Sequence, residues 1–317
     1  MLGMSEQIIG RVDIEAAERR IRPYVRRTPA LELEPHAFDL LCRVTLKLEL
    51  VQHTGSFKPR GAFNKILSSD VPETGVIAAS GGNFGQAVAF AAHRLGHRAE
   101  VFVPSKSPKV KADRIRALGA DVTVVDGWYD EALEASHVRA AETGALVMHA
   151  YDQPEVVAGQ GTIGIELAEQ VPDADTVMVA IGGGGLIGGI AGWYEGRTRV
   201  IGVEPETSQS MSAALAAGQP VDVEYGGYAA DSLGTRRAGE LAFAVVSKHA
   251  ERVVLVSGDA IKDAQRRLWH EVRVFAEPGG AAALAALLAN TYVPEPKEHV
   301  VVLVCGANGD LGVLSED

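Results

Sequence analysis

The chain has almost no cysteine. Its two thiols, Cys42 and Cys305, lie far apart and neither belongs to a CxxC pair. That excludes a disulfide framework and a thiolate zinc site, and it points to a reducing compartment. Positive charge is also short: 30 Lys and Arg against 41 Asp and Glu leave a net charge of −11. A nucleic-acid binder needs a basic face, so binding to a phosphate backbone is excluded as the main task. A small anionic ligand needs only a local site and stays open. Long hydrophobic runs are missing too. The longest, Ala281 to Ala289, is too short to span a bilayer. Met1 to Arg20 mixes acids with arginines and has no apolar core, so no signal peptide is expected. A cytoplasmic protein with no membrane or nucleic-acid partner is the expectation. HExxH and Walker loops are absent as well. Ala230-Asp231-Ser232-Leu233-Gly234 lacks both the first glycine and the preceding strand of a nucleophile elbow, which argues against a serine hydrolase. His53 and His270 are read as structural or exposed.

What the chain does have is 317 residues, 47% of them hydrophobic, with 35 glycines, enough for a large α/β core. Arg43 to Val51 alternates. Val44, Leu46, Leu48 and Leu50 share one face and Thr45, Lys47 and Glu49 the other, which predicts a half-buried strand. Strand-then-helix units follow, with strands near 76–79, 100–103, 121–125, 146–149, 176–181, 199–203, 253–256 and 300–304. Pro29 to Pro35 is expected as a loop. Ser107-Pro108 reads as an N-cap with proline at the first helical position. Alternation of this kind predicts parallel sheets covered on both faces. The strands are too many for one comfortable sheet. Two interleaved α/β lobes are therefore expected, a large one of 1–66 and 153–317 and a small one of 67–152.

Four stretches carry chemistry. Gln52 to Ala62 places Lys58 behind a glycine, a serine and Phe57, and ahead of Pro59. Lys58 is read as an amine held at a sheet edge to form a Schiff base with a carbonyl cofactor; a solvated lysine at a helix start is the competing reading. In the second stretch a strand runs into Gly182-Gly183-Gly184-Gly185-Leu186 and then a helix. Such a turn offers backbone N–H groups to a phosphate at the positive end of the helix. Gly183, Gly185 and Gly188 also satisfy GxGxxG, and Glu204 follows the next strand near the distance of a ribose-binding acid. A nicotinamide-dependent oxidoreductase thus stays open at this point. In the third, Ser80-Gly81-Gly82-Asn83 also joins a strand to a helix, and can present N–H groups to a carboxylate and an amide to a cofactor oxygen. In the fourth, a strand ends at Cys305-Gly306, where a thiol followed by glycine lets a flat ring approach closely.

These stretches in this order resemble the fold-type II pyridoxal-phosphate enzymes, most nearly the serine/threonine dehydratase and serine racemase branch. Gly55 to Ala62, Ser80 to Ala87, Ala158 to Thr162, Gly182 to Leu186, Glu277 to Ala281 and Cys305 to Asn308 carry the resemblance over nearly the whole chain. It implies a tryptophan synthase β-like fold, pyridoxal 5'-phosphate as cofactor, a small amino-acid substrate and a homodimer. It implies that Lys58 holds the cofactor aldehyde and takes the α-proton, for which its pKa must be lowered. Phe57 packs beside the ring, Asn83 bonds its hydroxyl, and Gly182, Gly183, Gly184, Gly185 and Leu186 hold its phosphate. Ser80, Gly81, Gly82 and Asn83 bind the substrate carboxylate. Cys305 faces the pyridine nitrogen, and a neutral thiol there makes a weaker electron sink than a carboxylate would. That favours β-elimination or β-replacement, and the expected reaction is dehydration of L-threonine or L-serine to a 2-keto acid and ammonia. A cysteine or threonine synthase-like replacement is the alternative within the cofactor class.

The chain departs from the branch in four places. Gly81 stands where racemases carry a serine on the ring face opposite the lysine, so no second base is expected, and Gly81→Ser is expected to add racemisation. Phe84 replaces a common histidine. Ala230-Asp231-Ser232 replaces the frequent Ala-Asp-Gly. Glu204 matches one ligand of a divalent cation, but Ser208 and Ser210 add no carboxylate, so no metal is expected. No regulatory domain is expected after Val304.

Overall fold

The computed structural model describes residues 8–314. The expected lobe ends at 1–7 and 315–317, and with them the first residues of the stretch 1–20 in which no signal peptide is expected, lie outside the described residues. Among the described residues the strands are β1 (Ala30–Glu32), β2 (Arg43–Leu48), β3 (Val76–Ala79), β4 (Ala99–Pro104), β5 (Asp121–Val125), β6 (Leu146–Met148), β7 (Thr176–Ala180), β8 (Arg199–Pro205), β9 (Arg252–Val256) and β10 (His299–Val304). The helices are α1 (Arg11–Ile21), α2 (Pro59–Leu67), α3 (Asn83–Arg94), α4 (Lys109–Ala117), α5 (Tyr129–Thr143), α6 (Pro154–Gln170), α7 (Gly185–Tyr194), α8 (Ser210–Ala217), α9 (Ala230–Leu233), α10 (Glu240–His249), α11 (Gly258–Arg267) and α12 (Pro278–Leu288).

The strands form two sheets. One has the order β1-β2-β10-β7-β8-β9 and the other β5-β4-β3-β6. Every strand pair is parallel except β1 with β2. Parallel strands need crossovers, and here helices supply them and cover both faces. The central strands are accordingly apolar along their whole length: Val177 to Ala180 and Val300 to Val304 are all buried. One apolar core surrounds the larger sheet, and a second packs α2, α3 and α4 against the smaller one. Among the described residues no helix is long and apolar enough to cross a membrane.

The structure corrects three local expectations. β2 does not turn its polar face to solvent, because Arg60 of α2 and Glu166 of α6 lie over that face. Thr45, Lys47 and Glu49 are as deeply buried as Leu46, and more so than the half-buried Leu48 and Leu50. That face is dry because its charges are paired: Lys47 with Glu166, and Arg60 with Glu49 and Glu166. β1 itself falls inside the expected loop 29–35. Its three residues form a strand only because β2 offers an open edge. Finally, α4 begins at Lys109, with Pro108 rather than Ser107 at its N-cap, and no side chain caps it.

All the sequence stretches that carry chemistry leave the C-terminal ends of parallel strands: β2, β3, β7 and β10. In open parallel sheets this is the edge where loops converge on a ligand.

Candidate active site

Lys58 closes the connection from β2 to α2. The chain reaches it through Thr54 and Gly55, both in the left-handed region at φ 59° and 74°. A β-branched residue there is strained and must be held. The end of β10 holds it. Asn308 Nδ2 donates to Thr54 O at 2.7 Å, Ala307 N to Gly55 O at 2.9 Å, and Phe57 N to Cys305 O at 3.1 Å. Half-buried Lys58 donates from Nζ to Ala150 O at 2.9 Å. Its amine stands 5.1 Å from the Phe57 ring centre and 5.7 Å from that of Phe84. Burial among these rings lowers its pKa to about 8, against the weaker pull of Cys305 and Glu277 in the other direction. The amine is therefore within reach of its neutral, nucleophilic form.

Cys305 is buried at the end of β10 and donates from Sγ to Gly279 O at 3.3 Å. Burial pushes its pKa far up, and Glu277 adds to the effect. Both favour the neutral thiol over the thiolate.

Asn83 opens α3. Its Nδ2 donates to Glu277 Oε1 at 2.6 Å and its Oδ1 accepts from Asn308 Nδ2 at 2.7 Å. One amide N–H is left for a ligand. Glu277 also accepts from Asn308 N at 3.1 Å, and burial raises its pKa to about 7. A Cβ on Gly306 would lie 2.1 Å from Glu277 Oε1, so the backbone approach behind Cys305 tolerates only glycine. The sequence reading placed Glu277 in a matched motif without a role. The signal was present in a lone carboxylate between Ala276 and Pro278, at the start of an otherwise apolar helix.

The glycine loop ends β7. Gly184 has φ 94° and precedes the first turn of α7, whose N–H groups have no partner within the helix. The carbonyls of the loop are used elsewhere: Ser210 Oγ donates to Gly182 O at 3.1 Å and Gly239 N to Gly183 O at 3.0 Å. Tyr151 lies against the loop so closely that a Cβ on Gly183 would sit 2.3 Å from its Cγ. Tyr151 also follows Ala150, the partner of Lys58, and so ties the glycine loop to the lysine. Nothing in the local sequence marked it. Leu186, the second residue of α7, is buried beneath the loop.

The Ser80 loop ends β3 beside Asn83. Ser80 Oγ accepts from Gly82 N at 3.2 Å, which folds the loop over its own side chain. The surroundings of Gly81 bear on the expected effect of Gly81→Ser. A Cβ there would lie 2.6 Å from Ser107 Oγ, so Gly81→Ser would collide with Ser107 before it reached any ligand. Of the other departures, Ser232 Oγ accepts from Gly279 N at 2.9 Å, and Asp231 pairs with Lys111.

Glu204 answers the dinucleotide reading. It is buried, and its carboxylate accepts from Met211 N at 2.7 Å and from Ser212 N and Oγ at 2.9 and 2.7 Å. It caps α8 and is spent there, so no acid is free for a ribose. The rest of the site fits pyridoxal phosphate. It holds an amine near neutrality, a neutral thiol, an amide with fixed orientation and a glycine turn at a helix start. Beside the lysine, Thr54 Oγ1 and Ser56 Oγ are buried without a hydrogen-bond partner.

Comparison with known proteins agrees. Residues 21–306 match the family described as "Pyridoxal-phosphate dependent enzyme". An L-threonine ammonia-lyase of Thermotoga maritima is 39% identical over 312 residues, covering 95% of this chain and 76% of that protein. The structure of maize serine racemase superposes with a TM-score of 0.90 at 32% identity, over 96% of this chain and 95% of that one. That of the processed form of threonine deaminase isoform 2 from Solanum lycopersicum superposes with a TM-score of 0.90 at 34% identity, over 96% and 85%.

Proposed function

The chain belongs to the pyridoxal-phosphate dependent enzymes, in their serine/threonine dehydratase branch, and from that premise we propose that it deaminates a small β-hydroxy amino acid such as L-threonine or L-serine to a 2-keto acid and ammonia. The observation that carries the reading is Lys58: a half-buried amine whose hydrogen bond goes to a backbone carbonyl and whose pKa is lowered to about 8. When bound, the cofactor supplies an electron sink for bond breaking at the substrate α-carbon. Lys58 is the residue that would hold its aldehyde, and its neutral amine would be the base for the α-proton, which an ammonium could not be. Asn83, locked between Glu277 and Asn308, would offer one N–H to the ring hydroxyl. Cys305 would offer the ring nitrogen a neutral neighbour, which would keep the sink shallow and favour loss of the β-hydroxyl. Gly182 to Leu186 would hold the phosphate through backbone N–H groups, and Ser80 to Asn83 would take the substrate carboxylate.

Three further parts extend the reading. The division into units of 1–66 with 153–317 and of 67–152 is supported by the second sheet, whose strands all fall between Val76 and Met148. A homodimer is supported by likeness to the family. A cytoplasmic location is supported by the acidic composition and by two buried free thiols.

The test begins with colour. Purified protein is expected to be yellow, and borohydride to fix the cofactor on a peptide containing Lys58. Release of keto acid from threonine or serine, with no added nucleophile, is then expected. Release only when a thiol or other nucleophile is supplied would move the protein to the β-replacement enzymes.

A further inference from the structure

We propose that Ser107 belongs to the substrate site: its hydroxyl is an added donor to the substrate carboxylate, delivered from the β4–α4 loop into the space that residue 81 leaves open. The inference rests on the reading above, in which the Ser80–Asn83 loop takes that carboxylate.

β3 and β4 are parallel neighbours in register through Ala79 and Phe102, and Ser80 N donates to Phe102 O at 3.0 Å. Their C-terminal loops therefore emerge side by side. The β4 loop leans onto the β3 loop at one point. A Cβ on Gly81 would lie 2.6 Å from Ser107 Oγ, 3.1 Å from its Cβ and 3.2 Å from Val103 Cγ1. Only a glycine at 81 lets Ser107 come this near.

Its sequence position suggests another use for the hydroxyl, that of an N-cap, but the structure does not use it so. α4 starts at Lys109 without a side-chain cap, and Ser107 Oγ makes no hydrogen bond among the described residues. The position is nevertheless built. Ser107 N donates to Pro104 O at 3.0 Å, and Pro108 restricts the backbone of Ser107 from the other side. One turn further on, Lys111 pairs with Asp231 of α9, and its side chain is only 13% exposed. That pair ties the loop across to the half of the molecule that carries Cys305 and Glu277. The hydroxyl is thus half-buried, uncommitted and held against the loop that binds the carboxylate. A hydroxyl is the right chemistry there, because it supports an anion without adding charge beside Lys58.

The test is steady-state kinetics on the holoenzyme with the β-hydroxy amino acid it turns over. Ser107→Ala is expected to raise KM about tenfold, the usual loss for a hydrogen bond to a charged group, and to leave kcat nearly unchanged, as for a contact made equally in ground and transition states. Gly81→Ser placed on Ser107→Gly returns a hydroxyl from the opposite loop and is expected to recover most of the loss, while Ser107→Gly alone is not. Binding of the corresponding 2-amino alcohol, which has no carboxylate, is followed by the cofactor absorbance and is expected to be indifferent to Ser107→Ala. An unchanged KM, a fall in kcat alone, or an equal loss for the amino alcohol would each overturn the inference. The cofactor spectrum of each variant shows whether its site is still formed. Wild-type protein inert towards every hydroxyamino acid would sink the functional reading instead, and the absorbance titration would then compare Ser107→Ala with wild type on any amino acid and its alcohol.

Discussion

Two lysines on the same segment of chain show how neighbours divide one residue type between structure and chemistry. Lys47 lies within β2 and is fully buried. Its Nζ donates to Thr28 O at 2.9 Å, Glu166 Oε2 at 2.6 Å and Gln170 Oε1 at 2.8 Å. Lys58 follows the same strand and has one backbone carbonyl at 2.9 Å. Burial lowers the pKa of both. At Lys47 the carboxylates of Glu49 and Glu166 work against that shift. At Lys58 the influences against that shift are weak: Cys305 is a thiol that burial keeps protonated, and burial raises the pKa of Glu277 to about 7. The first lysine is kept as a paired cation that fixes α6 to the sheet. The second is left close to losing its proton. A carboxylate in contact makes a lysine structural; an aromatic and backbone lining makes it reactive.

The sharpest way to break the comparison is to remove each amine in turn. Lys58→Ala is expected to reduce turnover by about 10³-fold or more while the thermal transition of the cofactor-free protein moves little. Lys47→Met should do the reverse. It leaves Glu166 with only Arg60 for charge, and a broken buried pair costs about 3 kcal/mol, read as a lower denaturant midpoint with unchanged kcat per folded molecule. Equal loss of activity in the two variants would end the distinction.

A smaller effect separates them by pH. In cofactor-free protein, the reaction of Lys58 with added pyridoxal phosphate needs the neutral amine, so its rate is expected to rise with pH and level off above about 8. A midpoint near the ordinary 10.5 would refute the lowered pKa. Stability follows the same sign. Between about 8 and 10.5 the unfolded chain binds more protons at this lysine than the folded one, so stability rises with pH across that window. Lys58→Met is expected to flatten that slope. The smallest change belongs to a third lysine. Lys109 pairs with Asp113 on the open face of α4 at 86% exposure, and Lys109→Ala is expected to shift neither melting temperature nor rate measurably.

Much of this was legible along the chain. Apolar runs such as Val177 to Ala180 can only be strands buried on both faces, and their alternation with helical segments sets a parallel α/β architecture. Glycines stand where a backbone must turn or approach a ligand, and Lys58, Asn83 and Cys305 sit at strand ends where parallel sheets expose their loops. These features are local or periodic. The period-two pattern of β2 misled for the same reason. Polar residues on one face signal solvent only if nothing charged comes to meet them, and Arg60 and Glu166 do.

By itself, then, the sequence determined the fold class, the lysine and the loops that surround it, because each follows from neighbours within a few residues. The tertiary structure alone decided which groups face one another across long separations. It brought Glu277 and Asn308 onto Asn83, Tyr151 onto the glycine loop, Glu204 onto the start of α8 and Ser107 onto Gly81. Hydrogen bonds and pKa shifts act over a few ångströms of space, whatever the distance along the chain. No pattern in one strand of sequence states which carboxylate reaches which lysine, and that pairing is what separates Lys58 from Lys47.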